Sequence, residues 1–93
     1  MIICAAVKFR NIHTNEDLIV LCHRHHNGYE FMRDANLRSD YFEVDEGFIN
    51  HKNEYLNRKD ALTHALDCGQ LSAEVRHIKV VRNEDELYSE DLY

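Results

Sequence analysis

No proline occurs in this 93-residue chain, and its three glycines, Gly28, Gly47 and Gly69, stand isolated. Phosphate-cradling glycine loops and the G-x-S-x-G nucleophile elbow are therefore excluded, and no linker or internal repeat divides the chain. Cysteine is scarce and odd in number: Cys4, Cys22 and Cys68 sit in apolar contexts without a C-x-x-C pair, which speaks against a secreted disulfide framework and for reduced thiols in a cytoplasm. Positive charge is also in short supply. Eleven Lys and Arg face 17 Asp and Glu, for a net charge of −6, so the chain lacks the basic field that long nucleic acids or an anionic membrane require. A small anion held by a few local cations is compatible with that balance. Long apolar runs are missing as well. Met1 to Val7 is followed at once by Lys8 and Arg10, too short for a signal peptide or a membrane span.

What is present is ordinary globular material, 44% apolar and 30% charged, of a length that suits one domain over residues 1–93. Ile3, Ala5, Val7 and Phe9 fall on one face of an extended segment, and the apolar run from Asp17 to Cys22 supplies a second strand, the two forming an antiparallel hairpin. A helix is expected from Asn27 or Gly28 to about Leu37. After an acidic stretch at Glu43 to Glu46, Gly47 to His51 and Glu54 to Leu56 read as a second hairpin around a Lys52-Asn53 turn. Asn57 caps a second helix, with Asp60 three residues on, a stripe of Ala61, Leu62, Ala65 and Leu66, and Gly69 beyond its end. Val75, Ile78, Val80 and Val81 suggest a last strand. The acidic tail from Glu84 offers Leu87, Tyr88, Leu92 and Tyr93 as anchors. The expectation is an α+β fold: a small antiparallel sheet with two main helices packed on it.

Two places concentrate chemistry. Cys22-His23-Arg24-His25-His26 packs imidazole and guanidinium groups at the mouth of the first helix, where backbone N–H groups are unpaired, a setting for an anion or a metal. The metal reading is poor, because none of the usual C-x-x-C, H-E-x-x-H or H-x-x-x-H ligand frames is present; no metal or other cofactor is expected. Cys–His pairs arise by chance in a chain with three cysteines and seven histidines, so no nucleophilic site is specified and a non-enzyme is expected. The second place is the start of the second helix. Arg58 and Lys59 follow its cap directly, and cations in a first turn oppose the helix dipole at about 0.3–1 kcal/mol each. An anionic ligand reverses that sign, and Phe48 and Tyr55 on the preceding hairpin offer a face for a base. The bland alternative is solvent exposure of Arg58 and Lys59, or pairing with Glu54 and Asp60, with Phe48 in the core.

In order along the chain, Ala5-Ala6-Val7-Lys8, Arg24-His25, Glu46-Gly47-Phe48-Ile49, Tyr55-Leu56-Asn57-Arg58-Lys59-Asp60-Ala61, Gly69-Gln70 and Leu87-Tyr88-Ser89-Glu90-Asp91-Leu92-Tyr93 resemble the phage anti-Thoeris sponges. Those proteins bind the cyclised ADP-ribose signal of a bacterial immune system and hold it without cleaving it. The chain departs from the family pattern at Asn50-His51, where Thr-Ser is common, and at Tyr55-Leu56, where Phe-Val is common. The resemblance implies an α+β fold, dimers or larger rings with pockets near subunit contacts, and residence in the cytoplasm of an infected host. It also implies a small cyclic nucleotide as the partner, a cyclic ADP-ribose isomer, a cyclic oligonucleotide or both. Carried over residue by residue, it implies Arg24 and Arg58 on phosphates, Phe48 stacked on adenine, Asn57 and Lys59 as polar supports and Arg76 as a further cation, with His25 beside Arg24. The rivals are a small nucleotide-processing enzyme using His23, His25 or His26 as acid or base, and an inhibitor that presents its acidic tail to a host protein.

Overall fold

The structure is a computed structural model that describes residues 1–92; Tyr93, named above as a tail anchor, lies outside the described residues. Strand β1 (Ile2–Asn11) turns into β2 (Asp17–Cys22), helix α1 (His25–Asp34) follows, and strands β3 (Tyr41–Asn50) and β4 (Tyr55–Asn57) lead into helices α2 (Arg58–Asp67) and α3 (Ala73–Arg82) and a short 3-10 turn, Ser89–Asp91. All strand pairs are antiparallel, in the order β2-β1-β3-β4, which makes this a four-stranded α+β fold.

β1 is central and carries most of the core. Val7 lies opposite Val20 on one side and Glu46 on the other, and Ala5 opposite Cys22 and Phe48. The register slips between Ile2 and Cys4, so Ile3 is an extra residue in the ladder. That bulge turns Ile3 outward, 53% exposed, and leaves Ile2 buried, correcting the expectation that Ile3 shares the face of Ala5.

β3 is longer than its apolar part. It begins at Tyr41 and takes in the acidic stretch, because Glu43 to Glu46 pair with Val7 to Phe9 of the central strand. The backbone ladder holds these carboxylates in place, and their side chains find partners: the Tyr55 hydroxyl donates to Asp45 at 2.8 Å, with the Lys8 ammonium 4.4 Å from the same ring. Gly47 is required here. A Cβ on it would stand 2.2 Å from the carbonyl oxygen of Leu56 and 2.6 Å from the Tyr55 hydroxyl.

Helix α1 starts at His25, two residues earlier than expected. The Asn27 side chain accepts from the Arg24 N–H at 3.0 Å, so Asn27 closes the first turn from inside rather than opening it. α2 is capped as read, with the Asn57 side chain accepting from the Asp60 N–H at 2.8 Å and Gly69 in the left-handed region at φ +69°. The last expected strand is instead α3. Ser72 caps it by accepting from the Val75 N–H, Asn83 ends it at φ 53°, and Val75 and Lys79 face inward four residues apart while Val80 and Val81 stay exposed. In a chain with so few glycines, asparagine fills the left-handed positions at Asn15, Asn36, Asn53 and Asn83.

Two apolar clusters lie along the helix side of the sheet. Val7, Phe9, Val20 and Met32 join β1 and β2 to α1. Ile2, Ala5, Phe48, Ala61, Leu62, Ala65, Leu71 and Leu87 join β1 and β3 to α2 and to the tail, with Val75 of α3 packed against them. Among the described residues no helix is long and apolar enough to cross a membrane.

Candidate ligand site

Three separate segments meet where α1 and α2 begin. α1 opens directly beside β3, and the His25 ring turns inward: it is 8% exposed, its Nε2 lies 2.8 Å from the carbonyl oxygen of Gly47, and its plane stands edge-on to Phe48 at 5.2 Å. That carbonyl accepts, so Nε2 carries the proton and Nδ1 is left as the acceptor, 3.4 Å from the Arg58 guanidinium. Burial pulls the His25 pKa below the usual imidazole value; the bond to Gly47 opposes the shift and the charge of Arg58 adds to it. His25 is thus held neutral.

Arg58 is the hub. One guanidinium nitrogen donates to the Leu87 carbonyl at 2.9 Å, the other to Glu46 at 3.1 Å, the group lies 4.9 Å from the centre of the Tyr88 ring, and its side chain is 18% exposed. Its backbone carbonyl accepts from the Leu87 N–H at 2.9 Å. The tail is therefore bound to Arg58 on both edges. Arg24, at the N-cap of α1, reaches the next part of the tail, 3.4 Å from the Ser89 hydroxyl and 3.9 Å from Glu90.

Of the seven residues expected to hold a ligand, Arg24, His25, Phe48, Asn57, Arg58 and Lys59 fall in this neighbourhood. Phe48 and Asn57 have local roles other than those expected. Phe48 has no exposed surface and belongs to the core, so it offers a base no face; the exposed aromatic beside the guanidinium is Tyr88. Asn57 is occupied as a helix cap, and Lys59 is exposed, with Asp85 4.0 Å away. Arg76 is apart, on α3, lining a different groove with Leu62, Leu66 and Val80.

The histidine block disperses. His25 points inward, while His26 is exposed and 3.5 Å from Glu30, and His23 is exposed. Lys79, the other cation at the tail, is 5% exposed and held by Asp91 at 2.7 Å, Glu84 at 2.9 Å and the Glu86 carbonyl at 2.9 Å. Burial alone would lower its pKa, but the bonds and charges of Asp91 and Glu84 outweigh that and raise it.

Next to this hub opens a hollow of about 410 Å³, lined by Asn57, Arg58 and Lys59 and by five carboxylates, Glu43, Asp45, Glu46, Asp85 and Glu86. β3 and the tail, about 40 residues apart in sequence, each contribute carboxylates to it. Sequence reasoning placed the cations here but missed the counter-charges, since Glu46, Asp85 and Glu86 read there only as parts of an acidic stretch and an acidic tail. The five carboxylates outnumber the two cations of the lining, so the hollow itself has a negative potential.

The full chain, residues 1–93, matches the family model of the phage T4 y16D protein, and the chain belongs to that family. No curated protein and no solved structure matches it.

Proposed function

We propose that this phage protein captures a small cyclic nucleotide signal, a cyclic ADP-ribose isomer or a cyclic oligonucleotide, and holds it without cleaving it in the infected cell. The observation that supports this most is the convergence of Arg24 and Arg58 from two helix starts onto one tail segment, Leu87 to Glu90, with the His25 ring against the Arg58 guanidinium. In this reading the tail supplies stand-ins for ligand groups. The Leu87 carbonyl, Ser89 hydroxyl and Glu90 carboxylate occupy donors that a phosphate would take, and Tyr88 offers its ring to a base. The carboxylates of the adjoining hollow accept from ribose hydroxyls and an exocyclic amine. The neutral, inward-facing His25 supports binding over acid–base turnover, because its two ring nitrogens are already engaged. Self-association into dimers or larger rings, with a second copy closing the pocket, is part of the same reading.

Titration calorimetry with cyclic ADP-ribose and with a cyclic dinucleotide tests it, alongside native mass spectrometry for subunit count. Arg24→Ala removes one charged hydrogen-bonding group, worth about 1.5–3 kcal/mol, and should weaken binding roughly 10- to 100-fold. The ligand recovered after denaturation should be intact. Absence of binding to either compound, or equal affinity in Arg24→Ala, defeats the proposal, and an altered product makes the protein an enzyme instead.

A further inference from the structure

The two edges of the sheet differ. β4 is three residues long and runs straight into α2, whereas β2 offers six residues, and β1 is its one strand partner among the described residues. Edge strands are ordinarily blunted by lysine, proline or a bulge, because their outward N–H and C=O groups are a template for further pairing. β2 has none of these. Its register with β1 runs unbroken from Asp17 opposite Arg10 to Cys22 opposite Ala5, and its one charge, Asp17, stands at its start. Ile19 and Leu21 lie opposite Lys8 and Ala6, on the sheet face turned away from α1, and are 37% and 55% exposed.

The strand is complementary to itself when turned end for end. It is entered through Glu16 and Asp17 and left through His23 and Arg24, so antiparallel pairing with a second copy sets the acidic end of each strand beside the basic end of the other. A two-fold axis through Val20, normal to the sheet, brings Leu18 opposite Cys22, Ile19 opposite Leu21 and Val20 opposite its own copy, so every cross-strand pair is apolar. Neighbouring registers are worse. An axis through Ile19 sets Asp17 against Leu21, and an axis through Leu21 sets Ile19 against His23. Helix α1 fits the same symmetry. Gly28 seats it over β1 and β2, where a Cβ would stand 2.9 Å from Val7 and 3.6 Å from Cys22. With strands about 4.8 Å apart, a helix over the line between β1 and β2 lies about 5 Å from the axis and about 10 Å from its symmetry mate, the ordinary spacing of packed helices. Tyr29 leans to β3, lining a hollow with Tyr41 and Glu43. Phe31, about 200° further round the helix, takes the flank toward the mate and is 49% exposed.

We infer that β2 is the seam of a two-fold symmetric dimer of this chain, which joins two four-stranded sheets into one continuous sheet with α1 and its mate side by side on one face. The inference deepens the self-association that forms part of the proposed function, and it requires no ligand. Both β2 edges are consumed in the contact, so it closes at two copies instead of growing into a fibre.

Gel filtration with light scattering on the ligand-free protein tests the seam, so that its failure and a failure of nucleotide binding are read apart. The wild type should show the mass of two chains or of a larger even number. Ile19→Lys and Leu21→Lys change exposed side chains, so both should keep the fold by circular dichroism while halving that mass and raising the dissociation constant at least about tenfold. Either variant decides the matter if the other misfolds. Val80→Lys, at an exposed apolar position on α3, should leave the mass unchanged. Amide hydrogen exchange across residues 18–22 should be slower in the wild type than in Leu21→Lys, a difference that stacking of two sheet faces does not produce. A monomeric wild type, a mass that the folded lysine variants of β2 leave unchanged, or equal exchange across residues 18–22 overturns the proposal.

Discussion

Leu87→Ala is the sharpest test of how the tail relates to the rest of the molecule. Leu87 is fully buried among Ile2, Ala5, Phe48, Ala61, Leu62, Ala65 and Leu71, although it lies beyond the last long helix in a segment rich in charge. Truncating a fully buried leucine removes its transfer free energy and leaves a cavity, a loss of about 2–5 kcal/mol. For a domain of this size each kcal/mol corresponds to about 4–8 °C, so the melting temperature should fall on the order of 10–40 °C. Urea denaturation followed by circular dichroism measures the free energy, and Val80→Ala serves as the control, since Val80 is 79% exposed and should change stability by no more than about 0.5 kcal/mol. The effect should also reach the ligand site. With Leu87 cut back, the backbone that holds Arg58 on both edges loses its anchor, and amide hydrogen exchange at residues 87–91 should accelerate beyond the global change. A loss below about 1 kcal/mol, or unchanged exchange in the tail, would mean that this segment is not part of the core.

Gly47→Ala forces a methyl into the Leu56 carbonyl and the Tyr55 ring and should cost about 1–3 kcal/mol or more in urea denaturation; a neutral outcome would place β4 further from β3 than described. The pKa of His25 is lowered in the fold, so the stability tied to its neutral form is complete above the unfolded imidazole value of 6.5 and is lost as pH falls below it toward the folded value. Denaturant midpoints measured from pH 8 to pH 5 should decline in the wild type and decline less in His25→Gln, and parallel curves would remove His25 as the source. Lys79→Ala leaves Asp91 and Glu84 without their buried cation and should cost about 3–5 kcal/mol, again read by urea denaturation; a cost below about 1 kcal/mol would mean the pair is effectively solvated.

Much of the fold was legible because short-range signals agree with long-range packing. The two hairpins follow from apolar runs separated by polar turns, and the Asn57 cap with its apolar stripe marks α2. α3 was misread because Val75, Ile78, Val80 and Val81 raise strand propensity; the Ser72 cap was a local signal that this propensity masked, while the inward Lys79 finds its partners in the tail. The acidic part of β3 was invisible for a related reason: its hydrogen bonds go to a strand more than 30 residues away, and nothing local announces them.

The candidate site was legible in its cations and illegible in their engagements. Arg58 was expected at an open helix start, where by the dipole alone a carboxylate such as that of Arg58→Glu is favoured. Its bonds to Glu46 and Leu87 make that substitution costly to the fold, because it sets a second carboxylate against Glu46 and releases the tail. Phe48 was read both as a face for a base and, in the bland alternative, as a core residue, and it lies wholly in the core.

The central place of β1 has a consequence for how the molecule is made. Residues 2–11 can pair with β2 soon after both are made, but their other edge stays bare until residues 41–50 have emerged. An isolated two-stranded ribbon is marginal in water, and a naked edge invites pairing with neighbouring nascent chains. On crowded polysomes the chain would therefore face its greatest risk of tangling midway through each round of synthesis, and a slow codon placed before β3 should worsen the yield of native product more than one placed after it.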